Sequence, residues 1–134
     1  MQLLHAIPAL PVREIGRRLA FYCETLGFTL VHHEGGFAIL RRDAVELHLW
    51  EAGDETWRTR EGGAPPVVSG GESFIAGTAS CRIAVAGVDA LHAEVSPHGV
   101  IHPNAPLADQ PWGTREFGVL DPDNNLITFF ERVR

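Results

Sequence analysis

Large aromatic side chains at five places in the chain could stack on another ring or attract a cation. They are Phe37, Trp50, Trp57, Trp112 and Phe130. Aromatic rings stack on flat heterocycles, and the electron-rich face of a ring attracts a cation. Trp112 is the strongest candidate, because it stands beside Gly113 in a run that is typical of a loop. For each of these rings, packing in the core is the alternative.

A carboxylate and an imidazole accompany one of these rings. Glu46, His48 and Trp50 alternate in a strand-like run, so their side chains point to one face of the strand. A carboxylate beside aromatic rings adds a negative potential that attracts cations. Further carboxylates could add to this potential, and the sequence does not determine which of them face the site: Glu51, Asp109 and Glu116.

Phe130 has the same relation to its neighbours, because it shares a strand face with Leu126 and Thr128. If the face of Trp50 and the face of Phe130 line a binding site, the residues between them must pack beneath helices on the other side of the sheet. Those intervening residues are Leu47, Leu49, Ile127 and Phe129. The pattern therefore predicts sheets with two faces, one for binding and one for the core.

Composition and motifs argue against several classes of function. The net charge is −6 at pH 7, whereas a nucleic-acid-binding protein needs a basic face. This negative charge suits a cationic ligand and equally suits plain solubility. The chain has no run of about 18 apolar residues, the length that spans a membrane. Neither the G-x-S-x-G motif of a serine hydrolase nor the lysine of a phosphate loop occurs.

The cysteines and the first residues indicate the compartment. Cys23 and Cys81 form no C-x-x-C motif, and two distant thiols of this kind are typical of reduced residues in a cytoplasmic protein. A reactive thiol is the alternative. The apolar run from Met1 to Val12 lacks the basic start and the small-residue cleavage site of a signal peptide. We therefore predict a cytoplasmic protein.

Two stretches of the chain match each other and indicate a repeated hairpin. Phe37–Glu51 and Phe117–Glu131 align without a gap at a constant offset of 80 residues. In each stretch two β-prone runs flank a polar turn, and the second turn, Asp121–Asn125, has the residue types of tight turns. The alignment equates Phe117 with Phe37 and adds Phe117 to the candidate binding residues. Chance likeness between two half-buried hairpins is the alternative.

The runs before the two hairpins also repeat in order. A strand at Leu3–Leu10, which contains Pro8, precedes a helix with an apolar stripe and a strand at Phe28–His32. Proline lacks a backbone donor, so the first strand should lie at an edge, a bulge or an exchange point. A strand at Ser80–Val85, a helix and a short strand at Val100–His102 follow the same order.

These elements predict an α+β fold of two tandem βαβββ modules in one domain. Module one covers residues 1–51, a glycine-rich linker covers 52–78, and module two covers 79–134. A connection of this length is longer than most and is often functional. Trp57 lies in the linker, where it could cap a binding site or pack the loop down.

This arrangement resembles the vicinal oxygen chelate superfamily, to which glyoxalases, bleomycin resistance proteins and dioxygenases belong. The likeness covers both modules and rests on four runs. They are AIPALPVREI at 6–15, LAFYCETLGF at 19–28, EGGFAILRRD at 34–43 and QPWGTREFGVLDPDNNLITFFE at 110–131. Pro8, together with the P-W-G and R-E-F tripeptides of the last run, is most similar to the bleomycin resistance proteins.

The resemblance implies a concave cup in each pair of curved sheets and a homodimer that exchanges its N-terminal strand at Pro8. It implies crevices between subunits that bind bleomycin-type cationic drugs and sequester them, without a cofactor and without catalysis. The residues that we expect to contact the drug are Phe37, Glu46, His48, Trp50, Trp57, Trp112, Phe117 and Phe130. The alternatives are a metal-dependent enzyme similar to glyoxalases, dioxygenases or fosfomycin-modifying transferases, and a protein that binds another aromatic metabolite.

Metal-dependent members of this superfamily hold the ion with His or Glu on the inner strands of both modules. By the resemblance, His48 lies at one such position, but its repeat partner Thr128 is a poor ligand, and Arg82 near another position would repel a cation. A catalytic site needs about three protein ligands, so we expect no metal. A site built from His5, His48 and Glu46 is the alternative.

Overall fold

Two βαβββ units make up the structure. The computed structural model describes residues 1–52 and 75–133. The first unit contains β1 (Ala9–Val12), α1 (Ile15–Ala20, continued by a π-helical turn at Phe21–Thr25), β2 (Thr29–Glu34), β3 (Phe37–Arg42) and β4 (Val45–Glu51). The second unit contains β5 (Ser80–Ala84), α2 (Val88–Val95, continued by a 3₁₀ turn at Ser96–His98), β6 (Ala108–Asp109), β7 (Thr114–Leu120) and β8 (Leu126–Arg132). The α+β class is thus confirmed.

Each unit forms its own four-stranded sheet with the same topology. The strand order is β1-β4-β3-β2 in the first sheet and β5-β8-β7-β6 in the second. The first strand of each unit runs parallel to the last strand, and the other neighbours are antiparallel. A parallel pair needs a crossover connection, and α1 and α2 form part of it.

Apolar residues at helical spacing bury one side of each helix, as the sequence predicts. The fully buried members are Ile15, Tyr22, Leu26, Val88 and Val95. Gly27 and Gly99 follow with φ of 74° and 69°, a left-handed conformation that ends a helix and that glycine adopts without strain. Within the described ranges, no helix is long and apolar enough to cross a membrane.

Two predicted strands differ from the structure. The first strand is Ala9–Val12 rather than Leu3–Leu10, and Pro8 lies just before it, where its carbonyl accepts a hydrogen bond from the His48 N–H at 3.0 Å. Residues 1–6 are exposed. The predicted strand at Val100–His102 is reduced to a single bridge between Ile101 and Val119, and the short strand β6 pairs with a different part of β7, opposite Arg115 and Glu116.

The two faces of each sheet have the predicted difference. Leu47, Leu49, Ile127 and Phe129 are buried in the core with the helices. The residues that alternate with them point to the opposite side of the sheet, which we call the open face. On β4 the open face presents Glu46, His48 and Trp50, and on β8 it presents Leu126, Thr128 and Phe130.

The two hairpins differ in length by one residue, so the gapless alignment is wrong in their first strands. Leu47 pairs with Leu40 in the first sheet, whereas the equivalent Ile127 pairs with Val119 in the second. The second strands therefore correspond at an offset of 80 residues and the first strands at an offset of 79. The extra residue lies in the turn Asp121–Asn125.

This shift moves Phe117 away from the open face. A slip of one residue turns a strand side chain to the opposite side of the sheet. Phe117 corresponds to Ala38 rather than to Phe37, and it is 1% exposed. Its ring packs on Phe129 and His92, at centroid distances of 5.5 and 5.1 Å. The assignment of Phe117 to the binding site is therefore corrected to a core position.

The turn Asp121–Asn125 docks onto the first unit. The Asn125 side chain donates to the Pro11 carbonyl at 2.7 Å and to Asp121 Oδ2 at 2.9 Å. Asp121 Oδ2 also accepts a hydrogen bond from the Tyr22 hydroxyl at 2.7 Å. Asn124 has a φ of 73°, which asparagine tolerates better than most residues. The bonds to Tyr22 and Pro11 join residues that are 99 and 114 positions apart in the sequence.

Asp123 in the same turn forms an ion pair with the first unit. Its carboxylate accepts hydrogen bonds from Arg18 at 2.7 and 2.8 Å and from the Arg13 N–H at 3.2 Å. The hydrogen bond from Arg18 lowers the pKa of Asp123 despite its burial. Burial and the Asp121 carboxylate raise the pKa of the Tyr22 hydroxyl, so Tyr22 remains a donor at neutral pH.

Asp123→Asn tests the ion pair. The pKa of Asp123 is lower in the folded state than its ordinary value of about 3.9, so the ionised carboxylate stabilises the fold at pH values above about 3.9. This stabilisation is lost as the pH falls through the lowered pKa. We predict that Asp123→Asn lowers the free energy of unfolding at neutral pH by about 1–3 kcal/mol and flattens its decline in acid. Urea unfolding at neutral and acid pH measures both effects.

Asp109→Asn is the matched control. Asp109 also pairs with an arginine, Arg115, at 3.1 Å, but its side chain is 67% exposed, and such surface pairs contribute about 0–1 kcal/mol. Equal losses in the two variants would show that Asp123 is not a structural anchor.

Phe117→Ala tests the shift between the hairpins. We predict that it lowers the free energy of unfolding by about 3–5 kcal/mol, the usual loss for a buried phenylalanine. Phe37→Ala should lose much less, because Phe37 is only partly buried on the open face. Chemical denaturation of both variants gives the comparison, and losses of the same size would support the gapless alignment instead.

Candidate functional site

Four predicted binding residues of the first unit lie together on the open face of β3 and β4. His48 and Glu46 are hydrogen-bonded, with Nε2 and Oε2 2.7 Å apart. The Phe37 ring meets the His48 ring edge to face at 5.0 Å and the Trp50 ring at 5.6 Å between centroids. Trp50 is 42% exposed. This first group is a continuous aromatic surface with an imidazole and a carboxylate at one end.

The charge of Glu46 is partly offset by its neighbours. Besides its contact with His48, Glu46 accepts a hydrogen bond from Arg41 Nε at 2.8 Å. Both hydrogen bonds lower the pKa of the Glu46 carboxyl, and the bond with His48 has the larger effect. Glu46 therefore stays ionised at neutral pH, while Arg41 supplies a positive charge beside it.

A second group lies on the open face of the second sheet and centres on Glu116. Arg82 donates to both carboxylate oxygens, at 2.6 and 3.3 Å. The Thr114 hydroxyl donates to Oε2 at 2.7 Å, and the Trp112 indole N–H lies 3.5 Å from the same oxygen. Cζ of Arg82 lies over the Phe130 ring, 4.8 Å from its centroid. The structure thus brings together Trp112 and Phe130, both predicted from the sequence.

The surroundings of Glu116 fix the charges in this second group. The hydrogen bond from Arg82 lowers the pKa of Glu116, and Thr114 and Trp112 lower it further. The Glu116 carboxylate in turn raises the pKa of Arg82. Both residues are therefore charged at neutral pH, and a bidentate arginine–carboxylate pair of this kind is among the strong hydrogen-bonded pairs of proteins.

Arg82 and Thr114 are the residues that the sequence reasoning did not assign to a binding site. The alternation of Arg82 with the buried Ile83 on β5 is a signal for the open face. Its bond to Glu116 has no such signal, because it depends on how β5, β8 and β7 are aligned.

Two predicted carboxylates have other roles. Glu51 and its repeat partner Glu131 accept hydrogen bonds from backbone N–H groups at the starts of α1 and α2, at 3.4 Å in the first case and at 2.8 and 3.2 Å in the second. Glu51 therefore caps a helix. Asp109 binds Arg115 at the surface. Trp57 lies outside the described residues.

The residues at the metal positions of the superfamily do not come together as a ligand set. Ala9, not His5, lies opposite His48 on the neighbouring strand, and His5 is exposed in the segment before β1. Arg82 lies opposite Thr128. In residues 1–52 and 75–133 there is no group of three or more His, Cys, Asp or Glu side chains with the spacing of a metal site.

A cleft of about 430 Å³ lies away from both groups, between the β3–β4 turn and α2. Arg42 and Glu94 form an ion pair there, 2.7 Å apart. None of the predicted binding residues with a described position lines this cleft. A second cleft, of about 410 Å³, lies beside the turn Asp121–Asn125 and is lined by Phe21 and Val100 on its other sides.

Comparison with known proteins agrees with this architecture. The chain is 57% identical over 132 residues to a bleomycin resistance protein of Geobacillus stearothermophilus. The aligned region covers 98% of this chain and 99% of that protein. A bleomycin resistance protein of Staphylococcus aureus has the same identity and coverage. The solved bleomycin-binding protein of Streptomyces verticillus, complexed with copper(II)-bleomycin, superposes with a TM-score of 0.69 at 27% identity over 96% of each chain.

The family match extends over both units. Residues 2–129 match the profile of the Glyoxalase/Bleomycin resistance protein/Dioxygenase superfamily, and this range includes both groups on the open faces except Phe130, which follows it directly. The paired βαβββ units agree with the fold of the solved relatives. The chain belongs to the Glyoxalase/Bleomycin resistance protein/Dioxygenase superfamily.

Proposed function

We propose that the protein binds bleomycin-type cationic glycopeptide drugs in the cytoplasm and confers resistance by stoichiometric sequestration, without catalysis. The observation that carries the proposal is the pair of exposed indoles, Trp50 and Trp112, each in a group on an open face that also contains a carboxylate. Proteins named bleomycin resistance proteins match the chain at 57% identity over nearly its full length, which supports the same ligand class.

The two groups offer the drug complementary contacts. Exposed indole rings can stack on the flat parts of a ligand and attract its cationic parts. Glu46 and Glu116 are ionised and add negative potential, although each has an arginine beside it. Stacking therefore contributes more to affinity in this proposal, and the overall charge of −6 contributes mainly to the rate of association.

We further propose a homodimer in which the first group of one subunit and the second group of its partner line a common crevice. The segment before Pro8 carries the exposed apolar residues Met1, Leu3 and Leu4, and exchange of this segment between subunits would bury them. Each Å² of apolar surface that the exchange removes from water contributes about 25 cal/mol, so burial of this segment favours the exchange.

One observation favours a second candidate function, a metal-dependent enzyme of the same superfamily. His48 and Glu46 lie together on the open face, and both side-chain types bind divalent metals. An enzyme of this kind would be purified with bound metal and lose turnover when a chelator removes it, whereas a sequestering protein saturates and leaves the drug unchanged.

Trp112→Ala tests the drug-binding proposal. Removal of the exposed ring deletes a stacking surface without opening the core, so we predict bleomycin binding several-fold weaker or more, with an unchanged melting temperature. Titration followed by the remaining tryptophan fluorescence and by calorimetry measures the affinity. Trp112→Phe, which keeps a ring, is the control. Parent-like binding by Trp112→Ala would show that the site is misplaced.

Deletion of residues 1–7 tests the dimer. We predict that the parent is a dimer by light scattering. Without the exchanged segment the dimer should dissociate at a higher protein concentration and bind the drug less tightly. A monomeric parent that still binds bleomycin would rule out the shared crevice and leave the ligand assignment in place.

A further inference from the structure

The guanidinium of Arg82 lies on the Phe130 ring, and the side chain remains half open to solvent. Its Cζ is 4.8 Å from the ring centroid, and the side chain is 47% exposed. The edge of the guanidinium is taken up by the two hydrogen bonds to Glu116. A flat polar group thus covers an aromatic ring in the middle of the second group.

The orientation of this guanidinium is fixed at both ends. Glu116 is 8% exposed and is itself held by the Thr114 hydroxyl at 2.7 Å. The bidentate pairing aligns the guanidinium with the carboxylate, and the Phe130 ring lies on one side of it, with its centroid 4.8 Å from Cζ. A surface that is held in place before binding loses little conformational entropy when a ligand lies on it.

The chemistry of a paired guanidinium suits a flat ring. Arginine is planar and weakly hydrated, and it stacks on aromatic groups, which lysine cannot do in the same way. Because Glu116 offsets its charge, Arg82 repels a positively charged ligand less than an unpaired arginine would. The first unit has no arginine at the equivalent position. Arg82 lies opposite Thr128 in the second sheet, and Ala9 lies opposite His48 in the first.

We infer that Arg82 is a specificity-determining residue for the ligand. Its guanidinium, stacked on Phe130 and held by Glu116, is the surface on which the flat, uncharged heteroaromatic part of the ligand lies. This inference rests on the proposed function and assigns ligand parts to the two groups. The flat ring goes to the second group, and the cationic part is left for the carboxylate and rings of the first.

Arg82→Lys and Arg82→Met separate stacking from charge. Lysine keeps the charge and loses the plane, and methionine loses both. If the guanidinium stacks on the ligand, both variants should bind bleomycin about 3- to 30-fold less tightly, the range expected for one cation–π stack. A role in charge alone predicts parent-like binding for Arg82→Lys and tighter binding of the cationic drug for Arg82→Met.

Two probes and one control make the result specific. The second probe is 2-phenylbenzothiazole, a neutral flat heteroaromatic molecule, whose near-UV absorbance should change on binding to the parent and change less with either variant. Arg115→Met is the matched control, because Arg115 also pairs with carboxylates, those of Asp89 and Asp109, away from both groups. Its affinities should equal those of the parent, and thermal melting verifies that every variant is folded.

The outcomes distinguish the inference from the proposed function. Parent-like affinity of either Arg82 variant for both probes overturns the stacking role, even if the parent binds bleomycin. A parent that binds 2-phenylbenzothiazole through Arg82 but not bleomycin supports the stacking role and refutes the proposed function. A parent that binds neither probe refutes both.

Discussion

The structure depends on the docking of one polar turn, Asp121–Asn125, against β1 and α1. Its side chains bind the Pro11 carbonyl, the Tyr22 hydroxyl and the Arg18 guanidinium. A buried polar group without a partner costs about 1–3 kcal/mol, and among the described residues no buried side-chain N or O lacks one. The turn therefore has one favourable position, and that position sets where the second sheet lies relative to the first.

Because the two sheets are fixed in this way, each can assign one face to the core and leave the other for binding. On the core side, Leu47, Leu49 and Ile127 are fully buried. On the open side, the carboxylates of the two groups are paired with arginines, Glu46 with Arg41 and Glu116 with Arg82. The open faces are therefore closer to neutral than a count of acids suggests. Flat aromatic surface is then the main feature with which they can contact a ligand.

Much of this organisation follows from the sequence because it depends on short-range patterns. Alternation along β4 and β8 placed Glu46, His48, Trp50 and Phe130 on one face and the residues between them in the core. The same reasoning failed for Phe117, since a turn longer by one residue reverses the face of the strand before it. It left the role of Glu51 open, because a carboxylate at the end of a strand gives no sign that a helix start lies beside it.

The sequence by itself determined the two βαβββ units, the buried face of each sheet and the family, because periodicity, turn residues and motifs are properties of neighbouring residues. Only the tertiary structure decided that Arg82 reaches Glu116, 34 positions away, and that Asp123 reaches Arg18, 105 positions away. Such bonds depend on strand register and on the packing of one module against the other. Those relations come from the balance of burial and hydrogen bonding over the whole chain, which no local pattern records.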